Sequence, residues 1–235
     1  MSASSSQTAP LEPTLYAILP PALHRPILAH LSLQAIHAEA YHIVDRMYTT
    51  ANPVLPGQLR SLRFRSQLVG GQGVQGKGKG KEVEGQGEER WVHTLAYISA
   101  PLRGAEYSEA AVRALLAIEV QDESTTEEIE QFIDVLGFRH THTYTLSGHL
   151  LHLPIPIPTS TPLTLHLSIT RISTSSSETE ESPAKNEPYL VQLRPSWPVH
   201  AIAQRGDLSL MDMVGVMRVM ASRVDGLEWS TGAAF

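Results

Sequence analysis

The sequence predicts a mainly β chain of the α+β kind: an antiparallel β-barrel, closed or nearly closed, with about three flanking helices. Three observations lead there. Several segments alternate apolar and polar residues with a period of two, the mark of a strand with two unlike faces. The gaps between most of them are short enough for antiparallel neighbours. The segments number about eight, a count that favours closing the sheet on itself over leaving two edges. At 235 residues, with 42% hydrophobic and 18% charged, residues 1–235 read as one globular domain large enough to bury a sizeable core.

Along the chain, residues 1–13 form a Ser-rich polar tail, read as disordered and lacking the pattern of a signal peptide. Residues 15–19 are a first strand, stopped by Pro20-Pro21. From 22 to 48, Leu28, Leu31, Ala35, Ile43 and Met47 recur near a helical period and predict one long amphipathic helix. Asn52-Pro53 and Pro56-Gly57 are turn signals. In 59–68, Leu62, Phe64 and Leu68 share one parity while Arg63, Arg65 and Gln67 take the other, as in a half-buried strand. Residues 70–89 are rich in Gly, Lys and Glu; they lack the apolar surface to offset chain entropy and read as a disordered insertion. Strands follow at 91–99 and 112–120.

Ser124-Thr125-Thr126-Glu127 reads as a capping box, Ile129, Phe132, Ile133 and Leu136 as one apolar stripe, and Gly137 as the left-handed cap that ends a short helix. A strand is expected over 138–146, with a hairpin turn at Ser147-Gly148 and a return strand over 149–153. Pro154, Pro156, Pro158 and Pro162 form an extended connector into a strand marked by Leu163, Leu165, Leu167 and Ile169. A second disordered insertion, rich in Ser and Glu, covers 173–187. Residues 189–193 are a strand, resumed over 199–203. The last element is a helix over 208–224 with Asp207 as N-cap and a stripe of Leu210, Met213, Val214, Met217, Met220 and Val224.

The chemistry that composition permits is narrow. The formal net charge is −6, which argues against a dedicated, sequence-specific nucleic-acid binder. There are no cysteines, which fits a reducing compartment and removes thiolate ligands and nucleophiles. The chain contains no apolar run of the ~18 residues that a membrane-crossing helix needs. Gly71-Gln72-Gly73-Val74-Gln75-Gly76 has glycine spacing of a dinucleotide loop and, with Lys77, nearly that of a phosphate loop. Gly78 stands where a Ser or Thr would ligate magnesium, and no helix can follow such a glycine run.

Among the 11 histidines, His140 and His142 share a strand face, and the expected turn adds His149. A zinc site is thinkable there, but no carboxylate completes it, and packing is the stronger reading. No metal, cofactor or catalytic set is assigned. Glu88-Glu89, Glu127-Glu128 and Glu180-Glu181 have ordinary solvating roles. The methionines Met211, Met213, Met217 and Met220 are the candidate partner interface, since methionine adapts to binding surfaces. Three of them also fit core packing, and Met211, off the stripe, is the best contact candidate.

The stretch Glu119-Val120, Ile129 to Phe132, Leu136-Gly137-Phe138-Arg139, Tyr144 and Gly148-His149-Leu150-Leu151 resembles the family of Mediator subunit 18, of the head module of the transcriptional Mediator complex. Tyr189-Leu190-Val191-Gln192-Leu193, the terminal helix and the strand with Arg63 and Arg65 are similar to that family too. The resemblance implies a non-catalytic interaction subunit in the nucleus, coupling regulators to RNA polymerase II. It implies a paired barrel in Mediator subunit 20 and a groove for a C-terminal helix of Mediator subunit 8. The alternative it raises is a triphosphate tunnel phosphohydrolase, such as an RNA triphosphatase. Those enzymes carry a Glu-x-Glu-x-Lys strand. Here Glu82-Val83-Glu84 and Glu128-Ile129-Glu130 lack the lysine, and neither is expected on a strand, so the lumen is expected to be empty of catalytic ligands.

Overall fold

The computed structural model describes residues 9–52, 57–69, 90–120, 124–155, 157, 163–174, 187–203 and 207–231. The Gly-rich stretch 70–89, residues 175–186 of the second insertion, most of the tail and Glu82-Val83-Glu84 lie outside these.

The strands are β1 (Leu11–Leu19), β2 (His37–Ala51), β3 (Leu59–Val69), β4 (Arg90–Ile98), β5 (Ala111–Val120), β6 (Arg139–Pro154), β7 (Thr164–Thr174), β8 (Tyr189–Pro195) and the short β9 (Trp229–Ser230). The helices are α1 (Pro21–Ser32), α2 (Thr126–Val135) and α3 (Leu210–Ala221). Strands β5, β4, β3, β2, β6, β7, β8 and β1 pair in that order, each antiparallel to its neighbours, and β1 returns to β5. The result is a closed eight-stranded barrel. At the seam, Leu11–Thr14 pair with Ala111–Ala114, whereas Leu15–Leu19 pair with β8. β9 lies against Tyr16 and Ala17, beyond the stretch that β5 covers.

Several expectations need correction. β1 begins at Leu11, so the tail reading ran three residues too far. The long helix is two elements. Two prolines start α1, one of them at its first position where no N–H partner is needed, and α1 stops at Ser32. The fifteen-residue β2 follows. Ala35, Ile43 and Met47 are separated by eight and four residues, intervals that a period of two satisfies as readily as 3.6.

The hairpin at Ser147-Gly148 does not exist, because β6 runs straight from Arg139 to Pro154. Gly148 has no positive φ; it is needed because the β7 backbone at Ile169 and Thr170 passes where a side chain would start. The helix caps shift as well. Thr125, not Ser124, caps α2, with Glu128 closing the box; Ser209, not Asp207, caps α3, with Asp212 closing it. Gly137 does adopt the left-handed conformation, φ +82°. Val199 does not start a strand; it makes a single bridge to Leu11.

The main apolar core lies outside the barrel wall. α1 and α3 cover the outer face formed by Leu15, Leu19, Leu151, Leu153, Leu165, Leu167, Ile169 and Leu193. The α3 stripe residues Leu210, Met213, Val214, Met217, Met220 and Val224 are all buried against it. Each such side chain contributes about 1.5–3 kcal/mol by leaving water. The Trp229 indole donates to the Ala221 carbonyl at 3.1 Å and ties β9 to the end of α3. A smaller cluster joins Ile129 and Ile133 of α2 to Tyr48, Leu62, Phe64 and Leu95.

Because an added Cβ at Gly148 would be driven into the Ile169 carbonyl oxygen, Gly148→Ala is expected to lower unfolding free energy by about 3 kcal/mol, measured by urea denaturation. A change within 0.5 kcal/mol of zero would show that β6 and β7 can separate locally.

Candidate functional site in the barrel lumen

Closing the sheet sends one parity of every strand inward. Cross-strand register then fixes the neighbours. Asp45 stands opposite Arg65 on β3 and opposite Tyr144 on β6. Glu12 stands opposite Arg113 on β5. Arg63 lies beside Ala96, and Ala96 beside Ala117. His37, His152, His166 and Arg194 form one row across β2, β6, β7 and β8.

Arg65 donates to both oxygens of Asp45, Nε at 2.8 Å and Nη2 at 2.7 Å. Planar fork and carboxylate match, so this bidentate pair is strong and directional. Asp45 is fully buried, and the Tyr144 hydroxyl is its further donor. Arg194 donates to Glu12 at 3.0 Å and to the Tyr41 hydroxyl at 3.3 Å. Glu39 accepts from His152 at 3.1 Å if that ring is protonated on Nε2, with His37 at 3.8 Å from its other oxygen. Beside these lies an apolar patch of Tyr41, Ile43, Leu146 and Leu150. Arg65, Arg194 and Glu12 sit deep in the barrel yet keep 13%, 20% and 18% of their side-chain surface open. The lumen beside them therefore admits solvent.

Electrostatics follow from this pairing. Burial by itself would raise the Asp45 and Glu12 carboxyls; the Arg65 guanidinium at Asp45, and Arg194 with Arg63 and Arg65 at Glu12, outweigh it and hold both below the usual carboxylate range. Burial, then the charge of Arg194 and the neighbouring His152, push His166 down to about 4.

The residues singled out from sequence are dispersed. His140 is exposed and contacts Thr143. His142 lies near Tyr144 in the lumen, and His149, with no hairpin to turn it inward, faces outward near His24. They form no ligand set, and no group of three metal-ligating side chains gathers among the described residues. Glu128 caps α2, and Glu130 receives Tyr48 and Arg46. Met213, Met217 and Met220 are buried under α3, whereas Met211 is 50% exposed. The lumen holds ionisable groups in pairs, Asp45 with Arg65 and Glu12 with Arg194. Its signal was the polar parity of β3, where Arg63 and Arg65 alternate with apolar residues; the expected solvent face is the inward one.

Two measurements check this network. Asp45→Asn leaves Arg65 buried without its counter-charge and is expected to remove about 3–5 kcal/mol of stability at pH 7. Since folding lowers the Asp45 pKa, its contribution is complete above about pH 4 and is lost as pH falls through the lowered value; the variant should lose that acid-side slope in urea titrations across pH. His166, depressed to about 4, is expected to stay neutral at pH 5–6 in an NMR ring titration, and stability falls as pH drops from about 6.5 toward 4 because the unfolded imidazole takes the proton first. A ring that titrates near 6.5 refutes the assignment.

No protein-family model matches the chain, and no curated protein sequence does. Solved structures share its fold. A chain of the Schizosaccharomyces pombe Mediator head module matches with a TM-score of 0.53 at 15% identity, over 93% of this chain and 97% of that one. The PH1819 protein from Pyrococcus horikoshii matches at 0.52 and 10% identity, over 94% of each. A Hippeastrum protein with a dominant triphosphatase activity matches at 0.45 and 12% identity, over 96% and 92%. At these identities the first two likenesses show the fold alone.

Proposed function

We propose that this chain is a non-catalytic interaction subunit of a Mediator head-module assembly, coupling regulators to RNA polymerase II transcription in the nucleus. The observation that carries the reading is the condition of the lumen carboxylates. Asp45 and Glu12 are each engaged by a guanidinium group. Both Asp45 oxygens are taken by Arg65 and one Glu12 oxygen by Arg194, whereas a metal-dependent phosphohydrolase needs several free oxygens to hold its ion. The Leu136-Gly137-Phe138-Arg139 stretch supports the same reading, as does a shared fold with a chain of the fission-yeast head module.

In this reading the barrel of Mediator subunit 20 pairs with this one, and the C-terminal helix of Mediator subunit 8 docks in a groove on it. Contact runs through side chains that the fold leaves uncovered, Met211 on α3 and Trp197 after β8 among them. A hydrolytic barrel is the second reading, favoured by the inward arginines.

Co-expression with candidate subunits 8 and 20 tests the proposal. The three chains are expected to co-purify, and Met211→Asp is expected to weaken capture about tenfold with unchanged circular dichroism. Manganese-dependent release of phosphate from a triphosphate substrate, with no partner captured, would overturn it.

A further inference from the structure

The seam that closes the barrel covers only part of β5. Leu115–Val120 pair in register with His93–Ile98 of β4, whereas β1 reaches only Ala111–Ala114. The ladder stops for a chemical reason. Pro10 accepts from the Leu115 N–H at 3.0 Å, and a proline has no N–H to return the bond. The direction of the groups beyond it follows from Ala114, whose carbonyl accepts from the Ser99 N–H at 3.0 Å and whose N–H donates to the Ser99 hydroxyl at 2.9 Å. Ala114 therefore faces the β4 side, and successive residues of an antiparallel strand point their N–H and C=O to opposite sides. Ala117 and Glu119 consequently aim theirs at the seam. Among the described residues, nothing there accepts from them or donates to them. Leu116, Ala117, Ile118 and Glu119 are all exposed, Leu116 and Ile118 with 64% and 57% of their surface.

A free strand edge is a template for another strand, and proteins blunt such edges with lysine, proline or a bulge. Leu116–Val120 carry none of these, and their register with β4 is unbroken. We propose that this edge pairs antiparallel with the same edge of a second copy of the chain. The residues complement themselves. When Ala117 stands against Glu119 of the second copy, both seam-facing residues of each copy exchange both of their bonds. The twofold axis then passes at Ile118, so Ile118 meets Ile118 and Leu116 meets Val120 on the outer face. On the lumen face each Glu119 meets the small Ala117. Sliding the strands by two residues is worse either way. It sets Glu119 against Leu115, whose N–H Pro10 already holds, or Glu119 against Glu119, where like charges oppose. The chain's own residues ahead of Pro10 suit the edge less well: the β1 register continued in line would set the polar Gln7 against Ile118 and Ser5 against Val120.

The pairing does not rest on the Mediator reading, whose contacts named above lie on α3 and after β8. Sedimentation velocity of the full chain is expected to show a monomer–dimer equilibrium that shifts with concentration. Hydrogen exchange followed by NMR reads the geometry. The Ala117 and Glu119 amides are expected to exchange freely in the dilute chain and to slow as dimer accumulates. The Leu116 and Ile118 amides, which face β4, are expected to stay protected throughout.

Ala117→Pro removes the N–H on the seam side and leaves the β4 ladder intact, and Ile118→Lys sets two lysines at the axis. Each is expected to weaken the dimer at least about tenfold with unchanged circular dichroism. Ala117→Lys sets a lysine against Glu119 of the second copy and is expected to tighten the dimer about threefold at low salt. Leu33→Asp, at an exposed position after α1, is expected to leave it unchanged. Three results each overturn the proposal. A chain that stays monomeric up to about 1 mM leaves the edge to a strand of another protein. Ala117 and Glu119 amides protected even in the dilute chain give it to the chain's own residues. A dimer that none of the β5 variants alters forms elsewhere on the surface.

Discussion

The pairing of Leu11–Thr14 with Ala111–Ala114 is the constraint on which everything else depends. A sheet of eight strands left open would expose two long edges, and its polar face would lie in water. Once β1 reaches β5, the ring closes and that polar face becomes an interior. From that point each ionisable group on it must find a partner within the barrel or bear a desolvation penalty. The seam is short, and further bonds reinforce it: the Leu11–Val199 bridge at its start and β9 along Tyr16 and Ala17.

Closure also divides the labour of the two faces. The outer wall carries the apolar core, because α1, α2 and α3 are the surfaces against which leucines and methionines can leave water. The lumen carries the ion pairs. Asp45 with Arg65 and Glu12 with Arg194 cross-link neighbouring strands from inside, with Tyr144 and Tyr41 adding hydroxyl contacts. Such pairs define a register more than they add stability, since the desolvation of two charges offsets much of their attraction. That division places the ion pairs inside and the helix-covered apolar core outside.

The same division commits the Asp45 carboxylate to Arg65. A metal site requires several oxygen ligands free of other commitments. Here Arg65 holds Asp45 and Arg194 holds Glu12.

Sequence alone determined what is local. The alternation of Leu62, Phe64 and Leu68 with Arg63, Arg65 and Gln67 gave a strand, the apolar spacing after Thr125 gave α2, and the Met213, Met217 and Met220 stripe gave α3 with its buried face. Each depends on neighbours within a few residues. Three things only the tertiary structure decided. A period of two says that the faces of β3 differ but not which one is inside, and closure chose the charged one. Gly148 reads as a turn until β7 is seen to pass against it. Asp45, Arg65, Glu12 and Arg194 are spread over most of the chain, and no spacing in the sequence links them, because cross-strand register is set by how the whole sheet closes.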